Sequence, residues 1–456
     1  MSFISKYERW FRWLLPAPFV IAILLTVVTV FLALFFGQTD GVKPSVIDIA
    51  GQWKKGLWNN GLLVFAFQMM FMLVLGHALA LSKPISWLIE QITKHCTNNS
   101  KAAFIVTFFT ILVGFVNWGL ALIFGAILAR KVGEYCKDNG ISLNYPLIGA
   151  CGYTGLLVWH GGLSGSSLLK INESGHLQSL TKNISASIPE SISISETVFS
   201  TMNITVGFSL LLFLSLGAYL LGKRAKESLY DLINMRKKET ESDVKPEGME
   251  NLTFSKWFGR LIGLAMLFLV IHTIVGYSGV FLGFVNPNFI NLALFGLALL
   301  LHKNIFVFLD SIEEAITGAA GILIQFPLYF GIMGIMLESN LVTQFAEVLV
   351  ANSNSFTYPI YTFISAAVVN VFVPSGGGQW AIQGPIIVES YLQSGIPLEK
   401  SILAMAYGDQ LTNMLQPFWA LPLLGITGLK AKEILPYTLL FLVIATLVFL
   451  TALLIF

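Results

Sequence analysis

The stretch VFVPSGGGQWAIQGP, residues 371–385, interrupts a long apolar run with three consecutive glycines and two prolines. Glycine allows main-chain N–H groups to approach a ligand closely, and proline ends helices. Because N–H groups at the start of a helix favour a negative charge, the stretch predicts a site for an anion such as a carboxylate. The candidate binding residues here are Ser375, Gly376, Gly377, Gly378, Gln379 and Trp380.

Two ionisable residues also lie deep inside apolar segments, Asp409 in AYGDQLTNMLQ and His160 in LLVWHGG. A charge at membrane depth is costly, so such a residue binds a cation, takes up a proton or pairs with a neighbour. Thr412 and Asn413 follow Asp409 by about one helical turn and add oxygen atoms. Asp409 and Asn413 therefore form a candidate Na⁺ site, with a proton on Asp409 as the alternative. A histidine suits proton transfer or carboxylate binding near neutral pH, which makes His160 a candidate for either role.

The composition indicates what surrounds these residues. Of the 456 residues, 55% are hydrophobic and only 11% are charged. Uncharged runs of roughly 20 residues recur along the chain, the length that crosses a hydrocarbon core of about 30 Å. The chain is therefore predicted to be an all-α polytopic membrane protein in contact with a lipid bilayer. The cysteines lack metal-binding spacing and no basic stripe indicates a nucleic-acid partner, so the only cofactor expected is a coupling cation.

The distribution of Lys and Arg predicts the topology, because short cytoplasmic loops accumulate both residues. Basic residues flank both ends of segment 102–130, which predicts a re-entrant hairpin with its tip at Asn117-Trp118-Gly119. Segment 356–395 lies between stretches assigned to the outside, which predicts a second hairpin, tipped by SGGGQ and entered from the opposite face. About nine full spans complete this topology. The N-terminus is then cytoplasmic and the C-terminus periplasmic.

The two hairpins belong to parallel stretches of sequence. The first copy reads GFVNWGLALIFGAILAR followed by LIGACGYTGLLVWHGG, and the second reads AVVNVFVPSGGGQWAIQGPIIVE followed by ILAMAYGDQLTNMLQPF. Aligning the two copies pairs Asn117 with Asn370 and Gly152 with Gly408. An amphipathic stretch, SVIDIAGQWKKGL or IFVFLDSIEEAI, lies upstream of each copy. Inverted repeats with interrupted helices are typical of secondary transporters, whose site lies where the interrupted segments meet.

The fold class predicted is an inverted-repeat secondary transporter with two re-entrant helical hairpins and two interrupted helices. Its regions are residues 1–222, the first repeat with hairpin 102–130 and broken helix 145–170; residues 223–285, a cytoplasmic basic loop and an extra transmembrane helix; and residues 286–456, the second repeat with hairpin 356–395 and broken helix 401–426.

Four long motifs are specific enough to indicate a protein family. They are FVNWGLALIFGAILAR, CGYTGLLVWHGGLSGSSLL, VNVFVPSGGGQWAIQGPIIVE and YGDQLTNMLQPFWALPLLGI. They closely resemble the bacterial short-chain fatty acid transporter family, the group associated with acetoacetate and butyrate uptake. The resemblance implies a carrier of small monocarboxylates in a bacterial inner membrane, working by cation-coupled symport. It also implies membership of the ion-transporter superfamily of elevator-type carriers, which usually form homodimers.

Superfamily relatives often have a Ser-Asn-Thr cation motif at the hairpin tips, and here Trp118 and Val371 follow the two asparagines. The coupling ion, Na⁺ or H⁺, therefore stays open. A Na⁺/H⁺ antiporter using Asp409 is an alternative. An intramembrane enzyme using Asp409 and His160 is disfavoured, because no nucleophile or metal-ligand spacing accompanies them. The candidate substrate-binding residues are Asn117, Trp118, His160, Ser375, Gly376, Gly377, Gly378, Gln379 and Trp380, and the candidate cation-coupling residues are Asn370, Asp409, Thr412 and Asn413.

Overall fold

The computed structural model describes residues 16–39, 41–180, 188–225, 248–279, 284–350 and 353–456. Within these ranges every regular element is a helix, apart from one β-bridge between Thr39 and Val42. A helix satisfies its own backbone hydrogen bonds, which lipid cannot do. The apolar runs of the sequence therefore become helices, and the protein is an all-α, multi-pass membrane protein as predicted.

Seven helical stretches in the described ranges are long and apolar enough to cross a bilayer. They are Pro18–Phe36, Asn60–Leu81, Asn99–Val116, Thr201–Arg224, Lys256–Gly276, Ile305–Glu338 and Ala431–Ile455. Three of the nine predicted spans are not among them. Two of these three are the broken helices, which consist of short pieces, and the third is the 15-residue helix Pro287–Leu301.

The first half of the chain contains a hairpin followed by an irregular segment. Its helices are α1 (Pro18–Phe36), α2 (Val46–Leu57), α3 (Asn60–Leu81), α4 (Lys83–Thr93), α5 (Asn99–Val116), α6 (Trp118–Asp138), α7 (Tyr145–Cys151), α8 (Ser166–Lys170), α9 (His176–Ser179) and α10 (Thr201–Arg224). Helices α5 and α6 meet at Asn117 and pack against each other as hairpin 1. Broken segment 1 comprises α7, two 3₁₀ turns at Thr154–Leu157 and Trp159–Gly161, and α8.

The second half contains a second hairpin and a second irregular segment. Its helices are α11 (Asn251–Phe254), α12 (Lys256–Gly276), α13 (Pro287–Leu301), α14 (Ile305–Ile316), α15 (Ala320–Glu338), α16 (Leu341–Val350), α17 (Tyr358–Phe372), α18 (Gly376–Ser394), α19 (Leu398–Thr412), α20 (Leu421–Thr427) and α21 (Ala431–Ile455). Helices α17 and α18 form hairpin 2. Broken segment 2 comprises α19, the turns at 413–420, and α20.

The same order of elements occurs twice. An amphipathic 12-residue helix, a long helix, a short helix, a hairpin, a broken segment and a long final helix run from α2 to α10 and again from α14 to α21. This order agrees with an internal repeat. The opposite orientation of the two copies in a membrane, and the region boundaries, stay predictions.

Packing divides the helices into two groups. The hairpin group consists of both hairpins, both broken segments, α10 and α21; α19 packs along α17, α20 packs on α6, and α10 packs on α5. The wall group consists of α1, α2, α3, α13, α14 and α15, and α12 packs on α13.

Both hairpin turns depend on a polar side chain that caps the second helix. Asn117 has an extended backbone, and its Oδ1 accepts from the N–H groups of Gly119 and Leu120 at 2.9 and 3.1 Å. Ser375 Oγ accepts from the Gly378 N–H at 3.2 Å. Such caps satisfy N–H groups that the first helical turn leaves without a partner.

The predicted tip of hairpin 2 requires a correction. The turn lies at residues 373–375, and Gly376, Gly377 and Gly378 form the first turn of α18. Pro374 explains the shift, since it lacks an N–H and disfavours helical backbone at the preceding Val373. None of the three glycines has a positive φ, so backbone freedom is not what requires glycine at these positions.

Thiol labelling tests the predicted orientation of the hairpins. The charge pattern places Ser187 outside the cell and Ser242 in the cytoplasm, but both positions lie outside the described residues, as do the basic residues Lys6, Arg9, Arg12 and Lys182 that contribute to the pattern. Asn139, which follows hairpin 1, and Ser355, which precedes hairpin 2, are both exposed. We expect a membrane-impermeant thiol reagent to label Ser355→Cys in intact cells and to leave Asn139→Cys unlabelled until the cells are opened.

The background in this experiment should be low, because Cys96, Cys136 and Cys151 are all buried. Labelling of Asn139→Cys in sealed cells would contradict the model in which the hairpins enter from opposite faces.

Candidate functional site

Both hairpin tips and both broken segments surround one cavity of about 280 Å³, the central cavity. Trp118 reaches it from hairpin 1, and residues 374–377 reach it from hairpin 2. Phe65 on α3 and Phe330 on α15 belong to the opposite wall, so the cavity lies between the hairpin group and the wall group. The interrupted segments therefore meet where the sequence predicts a site.

One end of the central cavity is polar. Ser166, Ser375 and Asn413 line it, and helix α18 begins there. The N–H groups of Gly376 and Gly377 lie in the first turn of α18, where helix geometry provides no intrahelical acceptor. Two hydroxyl groups and a helix N-terminus form an environment that favours a carboxylate.

The other end of the cavity is aromatic. The Trp118 ring lies 6.2 Å from Trp159 and 5.1 Å from Trp419, measured between centroids. Phe65 lies 6.2 Å from Trp118 and 5.9 Å from Trp419. An apolar lining with a few polar groups at one end is typical of sites for small amphiphilic ligands.

A buried histidine–carboxylate pair lies directly behind Gly376. Asp409, in the last turn of α19, contacts the His160 Nδ1 through Oδ2, and neither side chain is more than 1% exposed. A Cβ added to Gly376 would lie 2.8 Å from Trp159, 2.9 Å from His160 and 3.0 Å from Asp409. Glycine is therefore needed here because the helix approaches this pair closely.

The surrounding hydrogen bonds define the tautomer of His160. The Ser167 N–H donates to Nε2 at 3.3 Å, so Nε2 supplies a lone pair, and the proton of a neutral ring is on Nδ1, which contacts Asp409 Oδ2. The His160 ring stacks on Trp159 with centroids 4.4 Å apart. The network indicates a neutral imidazole that donates to a carboxylate.

Ser167 is a nucleophile candidate that the sequence did not reveal. Its Oγ lies 3.1 Å from His160 Nε2, so Ser167, His160 and Asp409 have the order of a hydrolase triad. Ser167 is fully buried, however, and the neighbouring Ser166 is the serine that lines the cavity. The arrangement does not present a nucleophile to a ligand in the cavity.

Each broken segment supplies side-chain hydrogen-bond partners to backbone groups of the other. Gln410 Oε1 accepts from the His160 N–H at 2.9 Å, and the Tyr153 hydroxyl donates to the Asn413 carbonyl at 3.0 Å. At the tip of hairpin 1, the Trp118 N–H donates to Ser164 Oγ at 3.0 Å. These bonds fix the irregular backbone around the cavity.

Three of the four predicted cation-coupling residues form one cluster beside Asp409. Asn370 Nδ2 donates to Thr412 Oγ1 and to Asn413 Oδ1, both at 3.0 Å. Asn370 Oδ1 and Gln416 Oε1 are buried and make no hydrogen bond within the described residues. Amide and hydroxyl oxygens of this kind fit a hard cation.

Two predicted ligand residues face elsewhere. Gln379 Nε2 donates to the Ala366 carbonyl at 2.9 Å and links the arms of hairpin 2. The Trp380 indole N–H donates to His176 Nε2 at 3.0 Å. Gly376 and Gly377 line the cavity, whereas Gln379 and Trp380 are not among the lining residues. Trp380 lies about one helical turn further along α18, beyond the cavity.

Several residues that line the cavity were not among the candidates predicted from the sequence. Ser166 lies in the quoted motif GGLSGSS, so its small polar neighbourhood was a usable signal. Phe65, Phe330 and Met333 lie in uniformly apolar helices, where sequence does not distinguish a lipid-facing side chain from a cavity wall.

Comparisons with known proteins identify this all-α, multi-pass protein as a membrane transport protein and define its family. A family model for short chain fatty acid transporters matches residues 3–456, and the chain belongs to this family. An Escherichia coli (strain K12) protein described as a candidate short-chain fatty acid transporter is 34% identical over 463 residues, 99% of each chain.

A Haemophilus influenzae protein with the same description is 33% identical over 447 residues, covering 96% of this chain and 94% of the relative. Among solved structures, the Alcanivorax borkumensis YdaH transporter aligns over 95% of this chain and 98% of its own, with a TM-score of 0.41 and 16% identity.

Adjacent glycines provide a matched pair for testing the site. Gly376→Ala would press a methyl group against the His160–Asp409 pair, and we expect a roughly tenfold or larger loss of uptake at normal expression. Gly377→Ala should retain nearly full uptake, because the nearest atom to its Cβ would be Ser166 Cβ at 4.0 Å. Gly377→Val, whose branched side chain enters the cavity, should lose uptake.

Uptake of a labelled short-chain acid, normalised to the amount of protein in the membrane, checks all three variants. Equal uptake by Gly376→Ala and Gly377→Ala would mean that the close approach of α18 to His160 and Asp409 has no role in transport.

Proposed function

We propose that the protein is a secondary carrier that binds a short-chain monocarboxylate, such as butyrate or acetoacetate, in the central cavity and moves it by cation-coupled symport. The observation that supports this most directly is the cavity itself, with the N-terminus of α18 at one end and aromatic rings at the other. Family membership and the descriptions of the two relatives support the same substrate class.

The charge of the cavity supports a substrate with one negative charge. Among the described residues that line it, none is Lys or Arg. Helix N-terminal N–H groups and two hydroxyls can bind one carboxylate, whereas a second carboxylate would have to enter the aromatic end without a partner.

The position of Asp409 supports symport. Gly376, at the polar end of the cavity, lies against the Asp409 carboxylate, so a bound substrate anion and an ionised Asp409 would repel each other in this buried environment. A cation on Asp409 removes the repulsion, and cation and substrate therefore favour each other's binding. An antiporter that exchanges cations would not require the anion site.

Two cations fit the residues present. A proton would be held by the His160–Asp409 pair, and Na⁺ would be held by Asp409 together with the oxygens of Asn370, Thr412 and Asn413. Either one neutralises the buried carboxylate before the site moves, which membrane depth requires.

The proposal includes an elevator movement of the hairpin group past the wall group. Among the described residues, Arg130 on α6 and Glu314 on α14 form a charged contact between the groups, at 3.7 Å. Glu314 also lies 3.6 Å from His77 on α3. Both contacts are long for an ion pair, so Glu314 can exchange partners during a movement. A homodimer in a bacterial inner membrane, with the N-terminus cytoplasmic and the C-terminus periplasmic, completes the proposal.

Counterflow in proteoliposomes tests the substrate class. We expect vesicles loaded with unlabelled butyrate to take up labelled butyrate, and unlabelled acetate or acetoacetate to compete. Succinate should not compete, because its second carboxylate has no partner in the cavity. Failure of every short monocarboxylate to exchange, with protein correctly inserted, would contradict the proposed function.

Asp409→Asn tests the coupling. If Na⁺ is the coupling ion, the loss of charge should weaken Na⁺ binding, and higher Na⁺ should partly restore uptake. If the ion is H⁺, accumulation driven by a pH gradient should disappear while exchange of labelled for unlabelled substrate continues. Asp310→Asn makes the same chemical change at an exposed position on α14 and should behave as the wild type. Unchanged accumulation in Asp409→Asn would exclude this residue from coupling.

A further inference from the structure

We infer that Phe65 on α3 and Trp419 in broken segment 2 set the upper limit on the acyl chain length that the protein carries. The inference rests on the proposed carboxylate carrier and adds the residues that select among its substrates. These residues lie apart from the glycines that would hold the carboxylate.

The contacts around the cavity define an order from head to tail. Gly376, at the polar end, lies against Trp159. The Trp159 ring in turn packs on Trp118, and Trp118 packs on both Phe65 and Trp419. A carboxylate at the start of α18 therefore directs its alkyl chain past the Trp159 and Trp118 rings toward Phe65 and Trp419.

An aromatic layer of Phe326 and Phe418 supports the far wall, and Phe418 itself also lines the cavity. Phe65 stacks on Phe326 at 6.3 Å, and Trp419 packs on Phe418 at 5.0 Å. Phe418 stacks on Phe326 at 4.1 Å, which joins the two sides of the layer. Phe326 and Phe418 are buried to within 1%. A wall supported in this way cannot yield to a longer chain without displacing well-packed rings.

Chain length should therefore act on affinity in two opposite ways. Each methylene that fits in the apolar end strengthens binding by about fourfold. The first methylene that meets Phe65 and Trp419 has no space and weakens binding through overpacking. Affinity should rise with chain length and then fall sharply.

Phe65 offers an informative series of variants because it belongs to the wall group and takes no part in the carboxylate end. Phe65→Ala and Phe65→Leu enlarge the aromatic end, and Phe65→Trp reduces it. Phe67 provides the matched control, because it lies on the same helix with its side chain 61% exposed and does not line the cavity.

The experiment measures competition by unlabelled straight-chain acids, from acetate to octanoate, against labelled acetate counterflow in proteoliposomes. The wild type should show an optimum followed by a steep loss. Phe65→Ala should move the optimum to longer acids, with roughly 15-fold better relative affinity for acids two methylenes longer, the gain expected from two buried methylenes. Acetate, which does not reach the wall, should be little affected.

In Phe65→Trp, unlabelled butyrate should no longer compete, whereas unlabelled acetate should still compete. This variant keeps the test informative even if Phe65→Ala fails to fold. Trp419→Phe should shift the optimum in the same direction as Phe65→Leu, and Phe67→Ala should leave the profile unchanged. A uniform loss at all chain lengths, or an unchanged optimum across the Phe65 series, would overturn the inference. Absence of any monocarboxylate exchange in the wild type would instead contradict the proposed function.

Discussion

Lipid offers no hydrogen bonds to a peptide group, and the interior of this protein follows from that limit. A helix can be interrupted within the bilayer only where other parts of the protein supply partners. Here some partners come from the other interrupted segment, as the Gln410 contact to the His160 N–H and the Tyr153 contact to the Asn413 carbonyl illustrate, and others come from hairpin 1, α10 and α21. The two broken segments therefore depend on each other, and the space between them becomes the central cavity. The same requirement accounts for the capping side chains at both hairpin turns.

The second determinant of the site is the short distance between the backbone at the start of α18 and the buried Asp409 carboxylate. Gly376 brings the start of α18 against the His160–Asp409 pair, so a ligand at the polar end and the buried carboxylate share one electrostatic environment. A larger residue would separate the two and weaken their interaction. One residue without a side chain thus links ligand binding to the charge state of Asp409, and the aromatic rings beyond Trp159 have no part in that link.

The breaks were predictable from sequence, because Asn117, Pro374 and the glycines of the broken segments are residues that interrupt helices for identifiable reasons. The depth of Asp409 and His160 was predictable as well, although their direct contact was not, since they are 249 residues apart in the chain. The partner of Trp380 was not predictable, because His176 lies 204 residues away in the chain. Phe65 could not be identified, because in an apolar helix the sequence does not show which face borders a cavity.

Glycines pack hairpin 1 directly onto broken segment 1. A Cβ on Gly125 would collide with the Gly152 carbonyl and a Cβ on Gly152 with the Gly125 carbonyl, and a Cβ on Gly114 would collide with the Gly155 carbonyl. Backbone atoms, unlike side chains, have no alternative rotamers, so hairpin 1 and broken segment 1 should move as one rigid body. In an elevator cycle the groups that contact the ligand's head group would move with that rigid body, and Phe65 and Phe330 would remain with the wall group. A carried acid would then exchange its tail contacts during the cycle, and discrimination between acids would differ between the two faces of the membrane.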